Sequence, residues 1–240
     1  MNNYFITGTS KGIGYNIAIS LLKDSNNLVY GLSRTNTIKN KNFVHVKIDL
    51  SDIEQVNKFN FQINKNTKKI VLINNAGIIG DIKQIGKISN QSIEEIFSIN
   101  TIAPSILTNK FICQFQNEET EKIILNISSG AGRHTISSWA TYCASKSALD
   151  MFSQVVYDEQ RQIQRKKSVK IYSIAPGIVD TPMQDIIRNA KVEDFEFVNQ
   201  FINYKEKSQL SSAKDVAVRL INFLDKSNKY KNVIYDLREL

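Results

Sequence analysis

Residues 1–14 read MNNYFITGTSKGIG, and this stretch decides the fold. Residues 4–7 (YFIT) are a short apolar run of strand type. The run meets Gly8, Gly12 and Gly14, while Ile13, Ile17, Leu21 and Leu22 recur at helical spacing. Strand, glycine turn and helix in that order make a cradle for a pyrophosphate. Glycines let the backbone turn tightly and approach the ligand, and a helix N-terminus favours negative charge. The spacing is G-x-x-x-G-x-G, not the commoner G-x-G-x-x-G, so the strand–turn–helix context carries the reading. Gly8, Ser10, Lys11, Gly12, Ile13 and Gly14 are the candidate phosphate-side residues.

Working outward, the alternation repeats. Strands are expected at 28–33 (LVYGLS), 43–48 (FVHVKI), 70–73 (IVLI), 122–127 (KIILNI), 169–174 (VKIYSI) and 233–237. Between them, Asp52 is placed to cap a helix bearing Ile53, Val56, Phe59 and Ile63. Further helices are expected over about 92–115 and 139–163, and a late one opens at Ser212 and Asp215. The fully apolar 70–73 run suits the buried middle of a parallel sheet. The pattern predicts an α/β, Rossmann-type doubly wound parallel sheet of about seven strands, with right-handed crossovers. No composition break appears, so 1–240 is read as a single domain. Residues 183–209 interrupt the rhythm just past a strand end and are expected to be a substrate-side insertion or lid.

The chain has 240 residues, 42% hydrophobic and 22% charged, which excludes a disordered or fibrous protein. With 31 Lys+Arg against 23 Asp+Glu, the formal net charge is +8. The excess is diffuse, and its densest cluster is Arg165, Lys166 and Lys167. That is a basic surface rather than a nucleic-acid stripe with interleaved aromatics. No run is long and apolar enough to span a bilayer, and the first residues lack the form of an export signal. Two cysteines, Cys113 and Cys143, make no disulfide framework, and two histidines, His45 and His134, make no metal site. The expectation is a cytoplasmic protein with no metal, no nucleic-acid partner and no membrane partner.

Two further features carry chemistry. NAD-binding folds commonly place an acid at the end of the second strand to hold the ribose. Here the position reads Ser33-Arg34, and Arg34 with Lys11 suits a 2′-phosphate. The predicted cofactor is therefore NADP(H). Tyr142 and Lys146 stand at i and i+4, on one helical face, and Ser129 precedes Tyr142 at the end of the fifth strand. A tyrosine near an ammonium suits proton exchange with a carbonyl oxygen.

Taken in order, TGTSKGIG at 7–14, Asp49-Leu50, NNAG at 74–77, Asn100, Ser129, Tyr142/Lys146, Pro176-Gly177 and Thr181 make the chain resemble the short-chain dehydrogenase/reductase family over essentially its full length. NISSGAG at 126–132, WATYC at 139–143, Asp150-Met151-Phe152 and APGIVDTPMQ at 175–184 resemble its sepiapterin reductase and benzil reductase branch. The resemblance implies an oxidoreductase that reduces vicinal dicarbonyls with NADPH. Tyr142 would be the general acid, and Lys146 would lower its pKa and hold the nicotinamide ribose. Ser129 would bind the substrate carbonyl, and Asn100 would hold a helix kink and a water leading to Lys146. Asp49 and Leu50 would contact the adenine, Asn75, Ala76 and Gly77 would border the cofactor, and Thr181 would hold the carboxamide. Trp139 would flank an aromatic substrate, and Asp236 stands where that branch anchors a pterin by a carboxylate. A homodimer or homotetramer is implied at the level of the fold alone. Another short-chain activity, on 3-oxoacyl groups or sugar alcohols, remains open, as does a non-catalytic NADP-sensing protein.

Overall fold

The computed structural model describes residues 1–64, 66–163 and 168–240. The basic cluster Arg165, Lys166 and Lys167 lies outside the described residues. Seven strands form one sheet: β1 (Asn2–Thr7), β2 (Asn27–Ser33), β3 (Phe43–Lys47), β4 (Lys69–Asn74), β5 (Glu121–Ile127), β6 (Lys170–Ala175) and β9 (Ile234–Asp236). Two short strands, β7 (Val179–Asp180) and β8 (Ser211–Ser212), pair separately. The main order is β3-β2-β1-β4-β5-β6-β9, and every neighbouring pair is parallel. The chain leaves β1 in one direction and crosses back to β4 on its other side. This reversal opens a crevice at the carboxyl ends of β1 and β4.

Helices cover both faces. On one side, α1 (Gly12–Leu21) and α8 (Ala213–Asp225) pack Ile17, Ala18 and Leu220 against Tyr4, Ile6, Val71 and Ile73. On the other, α4 (Ala103–Phe115) and α5 (Ala140–Arg161) bring Leu107, Phe111 and Val156 to Phe5, Leu72 and Ile124. Consecutive residues such as Phe5 and Ile6 thus serve opposite cores, the alternation a strand imposes. Each central strand is apolar on both faces for this reason.

Three stretches differ from their sequence reading. Asp52 does cap α2 (Ile53–Lys58), accepting from the Glu54 and Gln55 amides. The helix stops at Lys58, however, and Phe59 and Ile63 follow in extended or irregular chain. They pack against the same core, because Phe59 and Phe61 join Phe5, Phe111 and Phe115 in an aromatic cluster. The expected 92–115 helix is three pieces: α3 (Asn90–Phe97), a π-type turn (Ser98–Ile102) and α4. Residues 183–209 contain α6 (Pro182–Arg188) in most part and α7 (Val198–Glu206). The β7–β8 pair closes the neck of this segment, with Val179 opposite Ser211 and Asp180 opposite Ser212. Among the described residues no helix is long and apolar enough to cross a membrane.

Candidate active site

A cavity of about 690 Å³ opens at the carboxyl ends of the strands. Its first wall is the glycine turn. Gly8 and Gly12 both have left-handed backbone, at φ 74° and 64°, where a side chain would be strained. Lys11 precedes α1 without capping it, and the first turn holds no acid, so the leading N–H groups face outward. Gly14 does not line the cavity. It packs behind the turn, where a Cβ would overlap the Asn75 amide and the Gly8 carbonyl. Thr7 fixes the turn to the end of β4: its Oγ1 accepts from the Asn75 and Ala76 amides, both at 2.9 Å. The Asn75 side chain returns a bond to the Thr7 carbonyl at 2.9 Å.

At the end of β2, Arg34 is 75% exposed and its guanidinium stands 3.9 Å from Asp49 Oδ2. Such a loose, exposed pair leaves the cation free to take a better anion. Lys11, Asp49 and Leu50 line the same end of the cavity. Ser33 is committed inward: its hydroxyl donates to the Thr35 carbonyl at 2.9 Å, accepts from Thr9, and meets His45 Nε2 at 3.2 Å. A phosphate-sized anion and a nucleotide fit this end, with glycine cradle, uncapped helix and free cations together.

Across the crevice, β5 ends at Ile127 and α5 begins at Ala140. Ser129 Oγ accepts from the Ala131 amide at 3.2 Å and is in hydrogen-bonding reach of the Tyr142 phenol. Lys146 Nζ donates to the Ile127 carbonyl at 2.9 Å and stands 5.9 Å from the Tyr142 ring centroid. Both side chains are buried. Burial pushes the Tyr142 phenol up to about 12, against the pull of the Ser129 hydroxyl. Burial likewise draws the Lys146 ammonium down to about 8, against the support of Asp150. Burial is the largest influence on the Tyr142 phenol and sets the upward direction. Tyr142 stands protonated at neutral pH, the state a proton donor requires.

Asn100 lies inside the π-type turn and is fully buried. Its amide closes a ring with Ile78, accepting from the Ile78 N–H and donating to the Ile78 carbonyl, both at 2.9 Å. It also donates to Ser145 Oγ at 3.1 Å. Asn100 does not line the cavity. Gly77 separates it from Lys146: a Cβ there would lie 3.3 Å from Asn100 Oδ1 and 3.5 Å from Lys146 Nζ.

The far end is apolar. Trp139 stacks on Phe195 at 5.4 Å and meets Tyr142 edge-on at 5.7 Å. Phe201 and Ile187 complete this wall. Thr181, Pro176 and Gly177 line the passage between the two ends. Asp236 also reaches the cavity, but its carboxylate is taken. Arg238 donates to it from Nε at 2.9 Å and from a terminal nitrogen at 2.6 Å. The Arg238 side-chain bonds, more than its backbone bond and charge, hold the Asp236 carboxyl below the usual range. Arg238 lies over Gly177, within 3.3 Å of where a Cβ would be. Sequence reading missed Arg238, Phe195, Phe201 and Ser145; only the proximity of Asp236 to Arg238 in the chain signalled any of them.

Fold and site together define a dinucleotide-dependent oxidoreductase of the Rossmann type. The family model for short chain dehydrogenases matches residues 2–192, and the chain belongs to that family. It is therefore an oxidoreductase with a nicotinamide cofactor. The chain is 34% identical to a benzil reductase ((S)-benzoin forming) of Bacillus subtilis, over 100% of this chain and 99% of the relative. It is 35% identical to the corresponding enzyme of Bacillus cereus, over 94% of each. Sepiapterin reductase of Xenopus tropicalis is 27% identical over 69% of this chain and 61% of its own. The solved YIR035C short chain dehydrogenase/reductase of Saccharomyces cerevisiae superposes with a TM-score of 0.83, at 25% identity, over 99% of this chain and 96% of that one.

Proposed function

We propose that the protein is an NADPH-dependent carbonyl reductase acting on small apolar vicinal dicarbonyls of the benzil type. The observation that carries this reading is the placement of Ser129, Tyr142 and Lys146 between a basic cradle and an aromatic wall in one cavity. A nicotinamide held there by Lys146 and Thr181 would supply the hydride. Ser129 holds the carbonyl oxygen and Tyr142 gives it a proton. Lys146 stands behind Tyr142, its ammonium fixed by the Ile127 carbonyl. Arg34 and Lys11 take the 2′-phosphate, which favours NADP(H) over NAD(H). Residues 183–209 cover the substrate and exclude water from the reacting carbonyl. The apolar wall suits two phenyl rings, each of which gains from aromatic contact. The Asp236–Arg238 pair argues against a pterin, since an amidine-like ring edge would have to displace a bidentate guanidinium.

The test follows NADPH absorbance with benzil, diacetyl, sepiapterin and a 3-oxoacyl thioester, with NADH in parallel. Benzil is expected to be reduced with NADPH and sepiapterin poorly. Tyr142→Phe should lose turnover by at least about a hundredfold while binding NADPH as before. Rapid turnover of the 3-oxoacyl thioester with benzil inert would replace the substrate class. A Tyr142→Phe variant that keeps full turnover would overturn the mechanism.

A further inference from the structure

Asp150 lies one helical turn beyond Lys146 on α5 and is buried. A buried carboxylate needs partners, and it has two from different elements. Ser173 of β6 donates to Oδ1 at 2.6 Å, and Arg133 Nε donates to Oδ2 at 3.2 Å. Arg133 belongs to the chain just after Ser129, following the short turn Gly130–Gly132. Arg133 also donates to the Tyr235 carbonyl at 3.2 Å, which ties the site to β9. A second contact fastens the same turn to α5: Ser147 Oγ donates to the Gly132 carbonyl at 2.5 Å. A Cβ on Gly132 would press on the Lys146 backbone. The turn bearing Ser129 and the helix bearing Tyr142 and Lys146 are thus held together around one carboxylate.

We propose that Asp150 is a positioning residue for the reaction: clamped by Ser173 and Arg133, it holds the Ser129 turn against the helix that carries Tyr142 and Lys146, with its carboxylate one helical turn from Lys146. Its role rests on the reading of Tyr142 and Lys146 given above. A negative charge at i+4 on a buried face supports an ammonium that desolvation would otherwise discharge. Asp150 does raise the Lys146 pKa against the larger effect of burial. Further ionisable groups here are Tyr142, whose phenol Cys143 also pushes up, and Arg133, whose charge helps hold the Asp236 carboxyl down. From β5 and the π-type turn come the Ile127 carbonyl and, across Gly77, the Asn100 amide.

The direct experiment titrates the ¹³Cε resonance of Lys146, assigned by its loss in Lys146→Met. Asp150→Asn should lower its midpoint by roughly one pH unit, and Asp150→Glu should restore part of the shift. Arg133→Gln, which removes a cation and frees the carboxylate, should raise it. The alkaline limb of kcat for reduction should move the same way, with about a twofold loss at pH 7 in Asp150→Asn. A merely structural carboxylate would lower Tm and leave both midpoints in place; that result, in whichever of Asp150→Asn and Arg133→Gln folds, overturns the proposal. The resonance reports the coupling even if no carbonyl in the panel is turned over, so failure here is distinct from failure of the substrate reading.

Discussion

Burying the Lys146 ammonium costs stability. It is buried, and its pKa falls from 10.5 to about 8 on folding. Below pH 8 it is charged in both folded and unfolded chains, and the folded state bears the whole desolvation cost. As pH rises from about 8 toward 10.5 the folded lysine discharges first and that cost is relieved. Lys146→Met should therefore be inactive yet more stable at pH 7 by about 2 kcal/mol, after allowing for the lost bond to Ile127. Urea unfolding at pH 7 and near pH 10 checks the sign: the gain should shrink at the higher pH. Sequence spacing put Tyr142 and Lys146 on one helical face, and the family resemblance joined Ser129 to them. It could not give the pKa values, which depend on burial by elements remote in sequence. Nor could it show that Asp236 is already engaged, because a carboxylate reads the same whether free or paired.

At the scale of elements, the strands were the most legible, because a strand buried on both faces is apolar throughout. The helix over 92–115 was read whole because its apolar residues keep helical spacing across the break. The π-type turn depends instead on Asn100 bonding to Ile78, a contact between segments. The segment after β7 was read as irregular, yet it contains two helices fixed by Phe195 and Phe201 on Trp139. Phe195 is fully buried and belongs to no sheet face, so it anchors this segment alone. Phe195→Ala should loosen it locally, at a cost of about 3 kcal/mol to its packing on Trp139. Limited proteolysis should then cut within 183–209 while the rest stays intact, and KM for benzil should rise more than kcat falls.

Across the whole molecule the cavity is polarised. Lys11 and Arg34 face one end, and Trp139 and Phe201 wall the other. The net charge of +8 reinforces the first end for an anionic cofactor and leaves an uncharged diketone indifferent. Raising salt from about 0.05 to 0.5 M should therefore increase KM for NADPH several-fold and leave KM for benzil nearly unchanged. Arg34→Asp should reverse the preference between NADPH and NADH. Steady-state kinetics with both cofactors tests each claim, and an unaltered NADPH preference in Arg34→Asp would remove the arginine from the 2′-phosphate site.

The β7–β8 pair gives the fold a modular character. Four residues, two on each side, pin both ends of the intervening chain side by side at the rim of the main sheet. The chain between them adds nothing to the main sheet, so its length does not enter the register of β5, which leads to Ser129, or the placing of α5, which carries Tyr142 and Lys146. Scaffold and insert are therefore separable in this molecule: a change in the stretch between the two clipped ends leaves the seven-stranded platform as it is.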